Sequence, residues 1–434
     1  MISRLRRGPA GLAALVGAIL LFASGTLSAQ GVSGDRENAP GQLDKPYLVL
    51  VSLDGFGWNF TDLCDTPAFD RIAANGLKAG ALQPVFPTLT FPNHYSIATG
   101  LLPRNHGIVA NSFRHEDGQQ WYHYKDRTAV QDGRWYRAEP IWVTAEKHGM
   151  LSAAFFFVGT EADVGGVRPT HWRAFNAGIG GKERVDQVLE WLGKPAKVRP
   201  HFITLYFEQV DDETHNHGAG SQESIEAIRL VDGYLQRLMD GIEQLPHGDR
   251  VYILLVSDHG MAGYRDDIPP LVLDEIVDLD GIRTVEGGPF VYLHFETRDQ
   301  ERAAALKDEI NRQWSCGQAL QPGDAPAAWH IDDSGLWPDL IVQAEPGCAV
   351  VSSDSQMHKI NAGDHGWAPE YRDMRGIFFA RGPRIAAGAR PGVVHVTDIY
   401  PLMLRLLELP APGPIDGDEE SLTSLLLSDS AMEP

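Results

Sequence analysis

Cysteine is scarce. Only Cys64, Cys316 and Cys348 occur in 434 residues, and no two of them stand as CxxC, so a thiolate zinc cluster is excluded. An odd number leaves at least one thiol unpaired; Cys316 and Cys348, in the same half of the chain, are the pair offered for a disulfide. Basic residues are also few, 37 Lys plus Arg against 58 Asp plus Glu, for a formal net charge of −21. That balance excludes a protein held to a nucleic-acid duplex or to anionic lipid by a broad basic surface. A bound metal ion can still supply positive charge locally. The apolar run near the N-terminus falls short of the ~20 residues a membrane span requires. There is no internal repeat.

What is present is ordinary for a folded protein: 43% hydrophobic and 22% charged residues. The length suits one large α/β domain or two smaller ones. At the N-terminus, Arg4, Arg6 and Arg7 precede an apolar stretch from Gly11 to Ala23 and then small residues up to Ala29. This is the layout of a secretory signal peptide over residues 1–29, implying a periplasmic or secreted protein. Arg6-Arg7 leaves twin-arginine export open beside the general route. Cleavage would remove three arginines and take the charge to −24. Residues 30–45 read as a flexible tail and 411–434 as an acidic tail that frays.

Between the tails, apolar β-rich runs alternate with helical patterns. The runs are "PYLVLVSLDG", "LSAAFFFVG", "HFITLYFEQV", "VYILLVSDHG" and "RGIFFARG"; the helical patterns include "TPAFDRIAANG", "KERVDQVLEWLG" and "SQESIEAIRLVDGYLQRLMDGIEQL". Continuous apolar strands separated by helices predict an α/β fold, a mostly parallel central sheet with helices on both faces. A strand and helix within 288–315 suggest a small α+β insertion at about 280–350, and 112–138 reads as a surface hairpin.

The ends of these runs carry chemistry. Asp54 closes the first, Asp211 and His215 follow the third, Asp258 and His259 close the fourth, and His365 lies in "GDHGW". An aspartate after a strand is by itself usually a turn former or cap. Three strand ends bearing acids and imidazoles are harder to explain that way, because ligands of open α/β sheets bind at the carboxyl ends of the strands. A mixed Asp/His set suits Zn²⁺, with Mn²⁺ or iron as alternatives, and is too rich in imidazole for Ca²⁺ or Mg²⁺. Six such side chains and a hydroxyl are enough for two ions, the arrangement that clamps a phosphoryl displacement.

The motifs "VSLDGFG", "TPAFDRIAANG", "FPTLTFPNHYSIATGLLPRNHGIVANSF", "VSDHGM" and "GDHGW" resemble the nucleotide pyrophosphatase/phosphodiesterase branch of the alkaline phosphatase superfamily, over about residues 46–410. The resemblance implies an alkaline-phosphatase-like catalytic domain in a compact, bacterial-type chain. It implies that Thr90 is the nucleophile, and that two zinc ions are held by Asp54, Thr90, Asp258 and His259 and by Asp211, His215 and His365. It further implies that Asn111 binds a phosphate oxygen and that Phe91 and Tyr206 sandwich a nucleobase. Asp211 and His215 keep the family's D-x-x-x-H spacing, which favours them over Asp212 and His217. Leu89 stands where the family often has Lys, the Gly-Pro that often follows His215 is missing, and Trp367 replaces a common Tyr.

The activity so implied is two-step hydrolysis of nucleotide diester or pyrophosphate bonds through a nucleotidyl-threonine, releasing nucleoside monophosphates. The partner is a small phosphodiester, with no nucleic-acid duplex and no stable membrane insertion. No cation adjoins Thr90, as a monoesterase would require, and "TFPNH" does not fit the sulfatase pattern C/S-x-P-x-R. Phosphonate hydrolysis and phospholipid or choline diester hydrolysis on the same scaffold are the alternatives. A metal-binding protein without catalysis is the reading from another class.

Overall fold

The computed structural model describes residues 31–32 and 36–427; the candidate signal peptide, 1–29, and residues 428–434 lie outside them. Eight strands form the main sheet, in the order Gly31–Val32, His171–Trp172, Ser152–Phe155, Phe202–Phe207, Tyr47–Leu53, Val251–Val256, Phe378–Arg381 and Leu77–Lys78. The five from His171–Trp172 to Val251–Val256 pair parallel, and the outer pairings are antiparallel.

Tyr47–Leu53 is buried along its whole length, which is why its sequence shows no polar alternation. Its side chains nonetheless divide by parity. Leu48 and Leu50 enter the core under the helices Thr90–Thr99 and Ile399–Leu407, whereas Tyr47, Val49, Val51 and Leu53 enter the core under Pro67–Asn75, Gly181–Leu192 and Gln222–Glu243. The sheet is therefore covered on both faces, as the patterning requires.

Several runs are shorter as strands than their apolar character suggests. The run 151–159 stays extended only over Ser152–Phe155, because Phe156 takes φ 66° and turns the chain aside. The run 201–210 leaves the sheet at Phe207, and Gln209–His217 is helical. A second, four-stranded antiparallel sheet orders Ile282–Glu286, Phe290–Phe295, Leu340–Ala344 and Gly317–Leu320. The helix Gln300–Gln313 buries Ala303, Leu306 and Ile310 against it. Cys316 and Cys348 are joined in a disulfide, with Cα atoms 6.1 Å apart, and Cys64 is free.

Three expectations are corrected. Residues 36–45 are not a loose tail. Asn38 is buried; its amide donates to the carbonyls of Ala196 and Arg199, and its oxygen accepts from the Leu151 N–H. Residues 411–427 do not fray: Asp416 accepts from the Leu102 N–H and from Asn105, and Leu422 is buried. The segment 112–138 does contain a hairpin, Ser112–Arg114 with Trp121–His123, but it is no surface excursion. Phe113, Tyr122, Trp135 and Tyr136 lie in the main core, where aromatic area stabilises the fold most. No helix among the described residues is long and apolar enough to cross a membrane.

Candidate active site

Asp54 immediately follows the strand Tyr47–Leu53 and is buried. The chain must turn sharply there without a side chain. Gly55 has φ 63°, and a Cβ on it would stand 2.7 Å from Asp211 Oδ1 and 2.9 Å from the Asp211 Cα; only glycine lets the two acidic segments meet. Asp258 and His259, beyond the neighbouring parallel strand Val251–Val256, arrive at the same edge. The His259 Nε2 lies 3.5 Å from Asp54 Oδ1 and 3.1 Å from Asp258 Oδ2.

Thr90 is the first residue of the helix Thr90–Thr99, whose N-cap, Leu89, makes no side-chain capping bond. The threonine hydroxyl is thus not occupied as a cap; Oγ1 lies 3.4 Å from His259 Nε2. The next turn brings in His94, which sequence reasoning passed over. Its Nε2 is 2.8 Å from Ser52 Oγ, and its Nδ1 is 2.9 Å from the Thr90 carbonyl and 3.1 Å from Asp258 Oδ2. The available signal was the i, i+4 spacing from Thr90, which puts both residues on one helix face.

The helix Gln209–His217 places Asp211 and His215 one turn apart on one face. The His215 Nε2 is 3.4 Å from Asp211 Oδ2, and His365 Nε2 is 4.0 Å from Asp211 Oδ1. His259 and His365 stack with ring centroids 3.7 Å apart, which joins the two groups. All seven side chains offered as ligands therefore gather at one sheet edge. Asp212 and His217, the alternatives, are exposed, and His217 pairs with Glu213.

The donor chemistry fits cations. Asp54 Oδ1 and Asp211 Oδ1 are buried oxygens without a hydrogen-bond partner, a costly state unless positive charge faces them. Each imidazole spends Nδ1 on a backbone carbonyl: His215 on Gly363 at 2.9 Å, His365 on Thr88 at 2.8 Å and His259 on Gly260 at 3.2 Å. That leaves Nε2 of each directed at the carboxylates, the arrangement by which outer contacts orient metal-ligating histidines. Ligand atoms of Asp211, His215 and His365, and likewise of Asp54, Asp211 and His259, lie within 4.8 Å of one another. A third such group, Asp54, His94 and Asp258, is less open, since both His94 nitrogens already have partners.

Protonation reflects the crowding. Burial, then the charges of Asp258 and Asp211, raises Asp54 well above the usual carboxylate range. Burial opposes ionisation of Asp258 too, but the imidazoles of His259 and His94 outweigh it and hold that carboxyl well below its usual range. Burial and the neighbouring His259 and His215 push His365 well down, keeping it neutral. Asp364, adjacent to His365, is raised to about 6 by burial. It accepts from the Tyr264 hydroxyl at 2.8 Å and lies 3.7 Å from His215 Nδ1.

The centre opens into a cavity of about 450 Å³ whose wall includes Thr90, Phe91, Asn111, Phe175 and Tyr206. Asn111 accepts from the Phe91 N–H through Oδ1 at 3.0 Å, which leaves its Nδ2 without a protein partner among the described residues. Tyr206 lines this cavity and also supports the centre through its side chain. Its hydroxyl donates to Asp54 Oδ2 at 2.5 Å, and its ring is held edge-on by His94 and Phe175. The open aromatic surface on that wall is Phe175, 42% exposed. Nothing in the local sequence marks Phe175, because it follows an irregular loop with no motif.

A family model described as type I phosphodiesterase / nucleotide pyrophosphatase matches residues 48–368. Human ectonucleotide pyrophosphatase/phosphodiesterase family member 1 is 31% identical over 400 residues, covering 90% of this chain and 43% of that protein. Venom phosphodiesterase 2 of Crotalus adamanteus is 29% identical over 402 residues, covering 91% of this chain and 49% of that protein. The chain thus spans under half the length of these curated relatives. A structure of murine ectonucleotide pyrophosphatase / phosphodiesterase 5, inactive and in complex with AMP, superposes with a TM-score of 0.82 at 26% identity, covering 88% of this chain and 100% of that one. The α/β architecture read from the sequence is thereby that of these relatives, and the chain belongs to the type I phosphodiesterase / nucleotide pyrophosphatase family.

Proposed function

We propose that this chain is an exported phosphodiesterase that hydrolyses nucleotide phosphodiester or pyrophosphate bonds at Thr90 and requires two Zn²⁺ ions. One observation carries the reading: the uncapped Thr90 hydroxyl stands 3.4 Å from His259, beside buried carboxylate oxygens of Asp54 and Asp211 that lack hydrogen-bond partners. Asp54, Thr90, Asp258 and His259 would hold one ion, and Asp211, His215 and His365 the other. When bound, zinc lowers the pKa of a coordinated hydroxyl and neutralises charge on the phosphate.

The protein's own groups account for the rest. The Tyr206 hydroxyl fixes Asp54, and the backbone carbonyls of Gly363, Thr88 and Gly260 fix three imidazoles. Thr90 Oγ1 attacks phosphorus at the start of a helix, where the dipole favours the anion. Asn111, oriented by the Phe91 N–H, donates Nδ2 to a non-bridging oxygen, which stabilises charge as it develops. The leaving oxygen departs with its bonding pair. Water then attacks the nucleotidyl-threonine, frees the nucleoside monophosphate and restores the hydroxyl. Phe91 and Phe175 flank the nucleobase. Export is supported by the layout of residues 1–29 and by the Cys316–Cys348 disulfide, which suits an oxidising compartment.

Thr90→Ala tests the reading. Hydrolysis of a p-nitrophenyl nucleotide ester should fall by about 10³-fold or more, with zinc content unchanged. Surviving activity would rule out the covalent route. Turnover of a phosphonate in place of nucleotide esters would transfer the chain to the phosphonate hydrolases.

A further inference from the structure

His94 takes no direct part in phosphoryl transfer, yet it is completely buried inside the centre, one helical turn after Thr90. Its ring is wedged edge-on between Phe157 and Tyr206, with centroids 4.9 and 5.5 Å away, so it cannot swing aside. Both ring nitrogens face defined partners. Nδ1 stands 2.9 Å from the Thr90 carbonyl oxygen and 3.1 Å from Asp258 Oδ2. A carbonyl and a carboxylate only accept, so Nδ1 carries the hydrogen. Nε2 lies 2.8 Å from Ser52 Oγ, whose hydroxyl can donate to it. The imidazole therefore joins the nucleophile's helix, the strand Tyr47–Leu53 and the segment that follows Val251–Val256. With both nitrogens engaged, His94 is a support and not a further ligand.

The need for this support follows from the surroundings of Asp258, whose carboxylate is wholly buried. The Gly55 N–H reaches Oδ1 at 3.3 Å, and His259 Nε2 stands 3.1 Å from Oδ2. The His259 Nδ1–H is committed to the Gly260 carbonyl. Once His259 Nε2 turns its lone pair to a cation, it has no hydrogen to give Oδ2, and the His94 Nδ1–H is the side-chain donor that still meets that oxygen. The opposite half of the centre is tied to the nucleophile's segment through the main chain, since the Thr88 carbonyl accepts from His365 Nδ1 at 2.8 Å. On the Asp258 side, the tie is the His94 side chain.

Resting on the reading of Thr90 as nucleophile, we propose that His94 is a positioning residue: its Nδ1–H holds Asp258 and the Thr90 main chain in one fixed relation. Zinc affinity and attack by Thr90 then both depend on a residue that touches neither the ion nor the substrate.

Substitution can separate the two nitrogens. In His94→Asn the amide nitrogen takes the place of Nδ1 and keeps a donor toward Thr90 and Asp258. In His94→Gln it reaches toward Ser52 and leaves the Nδ1 side without a donor. Both variants are studied as full chain, for zinc affinity by chelator competition and for hydrolysis of a p-nitrophenyl nucleotide ester. In His94→Gln, zinc affinity and kcat should each fall about 10- to 100-fold, with KM within about twofold of wild type. In His94→Asn both should stay within about threefold of wild type. Undiminished zinc affinity and kcat in His94→Gln, or equal losses in the two variants, overturn the proposal. Nitrogen chemical shifts of the wild-type chain carrying isotope-labelled histidine give a check that needs no variant to fold: a hydrogen on Nδ1 of His94 is expected, and a hydrogen on Nε2 alone overturns the assignment. If the wild type binds zinc but leaves nucleotide esters intact, hydrolysis at Thr90 fails as a reading, while zinc affinity and the nitrogen shifts still decide the role of His94.

Discussion

The centre and its rim are built in different ways. Asp54, Asp258 and His259 follow directly from strands that are buried, parallel and paired in register, and Asp211 and His215 sit on the helix just after a third. The rim draws Phe175 from a loop, Lys125 from a hairpin and Arg283 from the second sheet. In the centre a ligand's place follows from the strand before it. In the rim a side chain's place depends on how distant segments dock. Chemistry that must stay constant sits where the backbone is most constrained, and selectivity sits where segments can change independently.

That contrast can be broken from the centre outward. Gly55→Ala should be the harshest test, since the new Cβ would meet the Asp211 backbone at 2.9 Å. Displacing the ligands by such a distance should cost about 10²-fold in kcat/KM, together with lower zinc content measured on the purified protein. Retained activity and full zinc would show that the turn is not what joins the acidic segments.

Behind the centre, the fully buried Arg184 makes paired contacts of 2.5 and 2.6 Å with Glu208 and donates to the Tyr206 carbonyl at 2.8 Å. Arg184→Met strands the buried Glu208 charge and should destabilise the fold by about 3–5 kcal/mol in guanidinium denaturation. In the rim, Phe175→Ala should weaken kcat/KM for nucleotide esters by about 1–3 kcal/mol. It should do so far less for bis(p-nitrophenyl) phosphate, which has no nucleobase. Equal losses on both substrates would remove Phe175 from base recognition.

The smallest effect is a slope with pH in zinc-stripped protein. Burial opposes the charge on His215 and His259, but Asp211 and Asp364 beside the first and Asp258 beside the second raise both above 6.5. A base raised in the folded state stabilises below its unfolded pKa and loses that contribution as pH rises through the folded value. Stability of the stripped protein should therefore decline as pH rises above about 6.5. His365, pushed the other way, opposes the slope only below that window. Zinc should flatten the curve by replacing the protons, as melting with and without chelator would show.

Much of this was legible in advance because it is periodic or local. Continuous apolar runs gave away parallel strands, and an acid or imidazole after such a run could only land at the carboxyl edge. Asp211 with His215 needed only helical spacing. Strand lengths were overestimated where φ at Phe156 ended the extended chain, a turn that no composition signals. The resemblance gives Tyr206 a stacking ring; the contact of its hydroxyl with Asp54, made between neighbouring parallel strands, is one that no sequence pattern displays. The two tails looked polar and loose, yet Asn38 and Asp416 anchor them through backbone groups that no sequence pattern displays.

The sequence by itself determined a two-faced parallel sheet and the Asp, His and Thr groups at its edge, since both follow from period and adjacency. Only the tertiary structure decided that Thr90 is free of a capping role, that Phe175 forms the open aromatic wall, and that Lys125, Arg283 and Lys359 face one cavity. Of those groups, Thr90 and Lys359 stand 269 residues apart in the numbering. Their proximity is set by which buried surfaces pack, a property of the whole fold.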